Sequence, residues 1–199
     1  MKKINKKGFT LIELLAVIVI LGILMLTAIP AVTRAIARSR KNTFWQNAKQ
    51  YIQAVQTPYL SGEYVLTSST SSVCPLPEPG KAYFVYLKDI ELDAGSKDKS
   101  SFGTQYITDT ANKCMPRVIV YNSGSGSANG DNKDNIKWYF VGADQSNNGI
   151  TDPVSESQLG FNSVKVGDAT SCTNTFTVTT GSGSSATTTT ITPVQCQPQ

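Results

Sequence analysis

Gly8-Phe9-Thr10-Leu11-Ile12-Glu13-Leu14 stands at the lip of an apolar run, and its reading organises the rest of the chain. Ahead of it lie Lys2, Lys3, Lys6 and Lys7. Behind it, Leu14 to Ile29 is apolar except for Gly22 and Thr27. An ordinary secretory signal places its small-residue cleavage site after the apolar stretch, so the stretch is discarded. Here the small residue comes first, and a cut after Gly8 would keep the apolar segment as the new N-terminus. Glu13 is the one charge in the 24 residues from Phe9 to Val32. As a helix those residues rise about 36 Å, enough to cross a hydrocarbon core. The flanking lysines orient such a segment with its N-terminus in the cytoplasm and the remainder outside.

The string G-F-T-L-I-E-L, followed by Gly22 and Pro30, resembles the class III leader of type IV prepilins and pseudopilins, over roughly the first fifty residues. The resemblance implies that a membrane aspartyl peptidase cuts Gly8–Phe9 and N-methylates Phe9. It also implies that Glu13 neutralises the α-amino group of Phe9 on a neighbouring subunit as the filament grows. An acidic side chain at mid-bilayer costs a few kcal/mol and is usually paired. The plainer reading is a solvated carboxylate at a helix start, favoured slightly by the helix dipole. Pro30 removes one backbone hydrogen bond and is expected to kink or loosen the helix near Leu26, with Gly22 a second weak point.

Charge is segregated along the chain. The formal net charge is +4, but without the four leader lysines 14 Lys and Arg face 14 Asp and Glu. Arg34, Arg38, Arg40, Lys41 and Lys49 follow the apolar segment, with no acid between Leu14 and Gly62. From residue 58 onward nine basic residues face thirteen acidic ones. A basic stem and an acidic head complement each other between stacked subunits. A stripe that only touches lipid phosphates explains the stem equally well.

Beyond Pro30, Ile36, Phe44, Ala48, Tyr51, Ile52, Val55 and Tyr59 recur at three- and four-residue intervals and give one apolar stripe. Pro58 disfavours helix at Thr57, so the helix is expected to end near Val55 to Thr57. Phe44 and Trp45 read as core or subunit-contact residues rather than a ligand-stacking pair. Leu60 to Gly80, rich in Ser, Thr and Pro, reads as an irregular loop. Strand candidates are Ala82 to Leu87, Arg117 to Tyr121, Ile136 to Val141, Thr175 to Thr180 and Thr187 to Val194. Weaker ones are Tyr106 to Thr108 and Ser163 to Val166. A long helix followed by antiparallel strands predicts an α+β fold, which the resemblance makes pilin-like. The expected division is a leader at 1–8, a membrane or filament-core helix at 9–33, an amphipathic half at 34–57 and a β-rich head at 58–199.

Four cysteines on the outward side, without C-x-x-C spacing and without any histidine, point to disulfides rather than zinc. Three pairings are open. Thr175 to Thr180 and Thr187 to Thr192 flank a Gly/Ser-rich turn, and Cys172 and Cys196 each lie twelve residues from Ser184. Folding a hairpin about that point brings Cys172 opposite Cys196 and leaves Cys74 for Cys114. Such a closure resembles the C-terminal disulfide loop of many Gram-negative pilins. An O-glycosylated or disordered Ser/Thr tail is the alternative.

Asp144, Ser146, Asn148 and Asp152 match the opening of a calcium loop, with Gly149 at the sixth position. The twelfth position is Ser155 instead of a bidentate Glu, and a strand rather than a helix precedes it. An Asx-rich hairpin turn, with Asn148-Gly149 at positive φ, is the favoured reading. Gly124-Ser125-Gly126-Ser127 lacks the Lys and the helix of a phosphate cradle. Without histidine or a nucleophile elbow, the chain reads as a non-enzyme with no cofactor beyond that calcium alternative.

The resulting expectation is a structural subunit of a type IV pilus or related filament. By the resemblance, it is stored in the cytoplasmic membrane as a single-pass protein with its C-terminus outside, then drawn into a surface filament. The partners so implied are other copies, prepilin peptidase, a membrane platform, an assembly ATPase and lipid. A type II secretion pseudopilin is one alternative. Another is a minor or competence pilin that holds DNA or a surface ligand, with Lys97, Lys99, Lys113 and Arg117 as the basic cluster. The net-acidic head weighs against nucleic acid.

Overall fold

The computed structural model describes residues 10–61, 65–67, 72–74, 77–90, 92, 97–109, 111–124, 135–180 and 187–196, with backbone alone for 65–67, 72–74, 180 and 187. Gly8 and Phe9, and the cleavage and methylation assigned to them, lie outside the described residues. The chain divides into two compact units, Met1–Ser39 and Arg40–Gln199. One helix, α1 (Leu11–Ser61), contributes to both.

In the first unit every described residue is exposed, including Leu14, Ile18, Leu21, Met25 and Ile29. Among the described residues, α1 is the one helix long and apolar enough to cross a membrane. It continues through Pro30 without interruption. Thr27 Oγ1 donates to Leu24 O at 3.0 Å, and Thr33 Oγ1 donates to Ile29 O and Pro30 O at 3.1 Å. Hydroxyls on both sides of the proline are thereby satisfied by the backbone.

In the second unit Phe44, Ala48, Tyr51, Ile52, Val55 and Tyr59 of α1 are buried. They pack on one face of a five-stranded sheet in the order β6-β5-β4-β3-β9. The strands are β3 (Ala82–Tyr86), β4 (Arg117–Asn122), β5 (Ile136–Ala143), β6 (Gly149–Ser155) and β9 (Val194–Gln195). All pairings are antiparallel except that of β9, which lies parallel to β3 with Tyr83 opposite Val194. Central β4 is buried from Arg117 to Tyr121, as a strand covered on both faces must be. In β5 alternation sends Trp138 and Phe140 toward the helix, and Tyr139 and Val141 to the opposite face. A second core forms there under β7 (Phe176–Thr180) and β8 (Thr187–Ile191), which pair antiparallel with Phe176 opposite Ile191. The fold is α+β, a long helix on a mostly antiparallel sheet.

Several sequence expectations are corrected. The helix ends at Ser61, not near Thr57. Tyr59 is buried, and its ring meets Trp138 edge-on at 5.5 Å. Burying such a ring with an aromatic partner stabilises by about 2–4 kcal/mol, comparable with the helix cost of a proline. The stretch read as an irregular loop holds a small hairpin, β1 (Val65–Thr67) with β2 (Ser72–Cys74). The expected strand Thr187 to Val194 is two elements, because Pro193 cannot donate to a ladder. Strand β6 was not expected, since its opening residues read as a turn.

Two glycines are required by close approach. A Cβ on Gly142, at φ 150, would sit 2.3 Å from Pro116 Cα, and one on Gly149 would sit 2.2 Å from Gly142 O. Gly142 lies at the irregularity where β5 and β6 shift register.

Candidate functional site

Glu13 closes the N-terminus of α1 through a capping box. The Thr10 backbone N–H and Thr10 Oγ1 both donate to Glu13 Oε2 at 2.8 Å, and the Glu13 N–H reaches Thr10 Oγ1 at 3.4 Å. Thr-x-x-Glu before an apolar run is the sequence signature of this device. The charge of Glu13 does not reveal it; the three-residue spacing from Thr10 does. The box uses one carboxylate oxygen among the described residues, so Oε1 can still accept from a cation. Gly22 has nothing within 4 Å of where a Cβ would stand, so its smallness serves no contact within the described chain.

The head is tied by a disulfide and a buried guanidinium. Cys114 is bonded to Cys172, not to Cys74, and Cys172 not to Cys196; both expected pairings are overturned. The two residues meet on the sheet face opposite the helix, where Cys114, Cys172 and Ala169 share the second core. Cys196 follows β9, and its N–H donates to Phe84 O at 3.0 Å. That parallel pairing with β3 carries Cys196 out of the hairpin symmetry that was to place it opposite Cys172. Cys196 is also disulfide-bonded.

Arg117 is buried in the same region. Its Nη1 donates to Lys113 O at 2.9 Å, and its Nη2 to Thr173 O at 3.4 Å and to Asn174 Oδ1. The guanidinium lies over Phe84 at 5.5 Å. Burial lowers its pKa from the ordinary value. The acceptors are neutral, so charge-assisted hydrogen bonds offset desolvation. Arg117 is therefore not available for a phosphate-binding cluster with Lys97, Lys99 and Lys113. Lys97 Nζ is itself engaged by Lys88 O and Ile90 O at 3.2 Å.

The four calcium candidates do not converge. Asp144 Oδ1 accepts from the N–H groups of Ser146 and Asn148 at 2.9 Å and from Asn148 Nδ2 at 3.1 Å; its Oδ2 accepts from Ser100 Oγ at 2.6 Å. Asp152 instead takes the hydroxyls of Thr151 and Thr173, and Ser146 Oγ lies against Thr104 Oγ1. The Asp144 carboxylate is thus held by donors, and the set does not fit a cation. Positive φ falls on Asn147 at 58°, not on Asn148 or Gly149, and Gly149 opens β6.

On the stem, Phe44 is fully buried and Trp45 half-buried. Lys49 Nζ stands 5.2 Å over Trp45 and Lys41 Nζ 4.6 Å over Phe161.

Residues 3–29 match the model of the prokaryotic N-terminal methylation motif. The chain is 26% identical over 145 residues to a fimbrial protein of Pseudomonas aeruginosa, covering 73% of this chain and 82% of that one. It is 31% identical over 114 residues to the type IV major fimbrial protein FimA of Dichelobacter nodosus, covering 49% and 71%. No solved structure matches.

Proposed function

Because the chain belongs to the type IV pilin family and is a structural subunit of a pilus, we propose that its N-terminal helix is stored in the cytoplasmic membrane and becomes the filament core. The observation that carries this is the exposure of every described residue of the first unit, which from Leu14 to Val32 is uncharged and almost wholly apolar. So large an apolar surface requires lipid or other copies to cover it. Assembly exchanges lipid contacts for helix–helix contacts, with Gly22 allowing close approach of a neighbouring helix.

In this reading a peptidase cuts Gly8–Phe9 and Phe9 is methylated. The new α-amino group pairs with Glu13 Oε1 of a neighbour while Oε2 keeps its capping box. The segment is single-pass with the C-terminus outside. A platform protein and an assembly ATPase supply extraction. The role is non-catalytic, in keeping with the fimbrial names of its relatives. A pseudopilin or DNA-capturing role has less support, since the relatives are fimbrial and Arg117 is enclosed.

Immunogold electron microscopy with an antibody to the head tests the reading. Label along the length of surface filaments at native expression is expected. Label confined to the cell envelope would overturn it.

A further inference from the structure

Leu14 to Val32 of α1 carries no charge, and Arg34 and Arg38 follow directly. As a helix that uncharged stretch rises about 28 Å, close to the roughly 30 Å of a bilayer's hydrocarbon core. We propose that Arg34 and Arg38 together hold the phosphate of an anionic phospholipid at the edge of the stored helix's membrane span. This rests on the membrane-stored state proposed above and deepens it with a specific lipid partner.

Glu13 marks one edge of the uncharged stretch and Arg34 the other. Along the helix axis Arg34 lies about 3 Å, and Arg38 about 9 Å, beyond Val32. The headgroup layer is about 5–7 Å deep on each side. Arginine stems bend along apolar surface and keep both guanidinium groups in that layer. Four residues apart, the two side chains stand on one helix face with Cβ atoms about 6 Å apart. Both residues are exposed, and among the described residues neither guanidinium has a hydrogen-bond or ion-pair partner. Like charges at this spacing repel and weaken a helix. Within Met1–Ser39 the single acid is Glu13, about 31 Å along the helix from Arg34. The anion that settles the pair therefore comes from outside this unit.

The chemistry of the pair selects the lipid. A guanidinium fork matches phosphate oxygens with two parallel hydrogen bonds, which a lysine ammonium does not. A zwitterionic headgroup already carries an ammonium against its phosphate. Two further positive charges are balanced by a lipid whose phosphate has no such partner. Each arginine near an anionic membrane surface is worth about a fivefold preference for it.

The test reconstitutes the full-length chain, labelled at arginine Cζ, in vesicles of equal phosphatidylglycerol and phosphatidylcholine with inorganic phosphate in the buffer. Carbon–phosphorus recoupling NMR reports which of the three phosphates the guanidinium groups touch. The chain has four arginines, of which Arg117 is enclosed in the head, and the leader's lysines are silent in this measurement. Contact with the phosphatidylglycerol phosphate is expected, reduced at least twofold in Arg34→Gln/Arg38→Gln. In native mass spectrometry, retention of phosphatidylglycerol over phosphatidylcholine should fall at least fivefold in that variant. Contact with inorganic phosphate, equal contact with both lipids, contact unchanged in the variant, or Cζ proximity to a carboxyl carbon of a second copy instead would each overturn the proposal. A chain that alkaline carbonate strips from the vesicles would overturn the membrane-stored reading as well. One that resists extraction without phosphate contact overturns the lipid clamp alone.

Discussion

Cys114 and Cys172 are joined 58 residues apart in sequence with their Cα atoms 4.9 Å apart, and Arg117 bridges the same two segments from Lys113 O to Thr173 O. A covalent link and a buried charged fork thus hold one junction. By the loop-entropy argument, a closure of that length stabilises by about 4 kcal/mol.

Non-reducing peptide mapping should recover Cys114 linked to Cys172, with Cys196 in a second linked peptide. Replacing Cys114 and Cys172 together by Ala should lower unfolding free energy by about 2–5 kcal/mol, read from denaturant midpoints. A peptide joining Cys172 to Cys196 would contradict this arrangement.

The two crowded glycines make a paired prediction. Gly149→Ala places its methyl group against Gly142 O and Ala143, and should cost about 2–3 kcal/mol or prevent folding. Gly160→Ala meets nothing within 4 Å and should stay within about 0.5 kcal/mol of the parent. Equal thermal midpoints for the two would show that β5 and β6 do not approach this closely.

How much of this was legible in the sequence follows from the range of each interaction. The apolar run, the helical stripe from Phe44 to Tyr59 and strands β3, β4, β5 and β7 rest on local periodicity, and they stand within a residue or two of where they were read. The disulfide partners did not, because symmetry about Ser184 ignores β9, whose pairing with β3 is set by contacts more than a hundred residues away in sequence. Strand β6 hid behind the oxygen-rich pattern from Asp144 to Asp152, which serves a turn in its first half and a strand edge in its second. Tyr59 shows the converse. Its place in the stripe is local, but the weight of its burial against Pro58 emerges only once Trp138 is beside it.

Alkaline pH should destabilise the head. Burial raises the pKa of Tyr51, Tyr59, Tyr106 and Tyr139, and the Tyr106 hydroxyl lies 3.3 Å from that of Tyr51. Unfolded tyrosines lose their protons near pH 10 while these retain theirs, so above that pH the unfolded state binds fewer protons and stability falls. Denaturation midpoints should show no contribution from these groups below about pH 9, then decline as pH rises through 10. Tyr106→Phe should reduce that alkaline slope. An unchanged slope would remove Tyr106 from the account.

Glu13→Ala should leave cleavage and membrane insertion intact, since the change follows the scissile bond and makes the segment more apolar. Filament yield should drop sharply, because a neighbour's amino group loses its counter-charge in a dry core. Glu13→Gln, which can keep the hydrogen bonds to Thr10, should be as deficient as Ala if charge is the requirement. Recovery of filaments with Gln would assign Glu13 to capping alone.

Intact mass and N-terminal fragmentation of subunits from sheared surface filaments test the central claim most directly. The account predicts a chain that begins at N-methylated Phe9 and lacks residues 1–8, with Gly8→Val accumulating as an uncut membrane precursor. Filament subunits that still begin at Met1, or that have lost the apolar segment through Ile29, would contradict it.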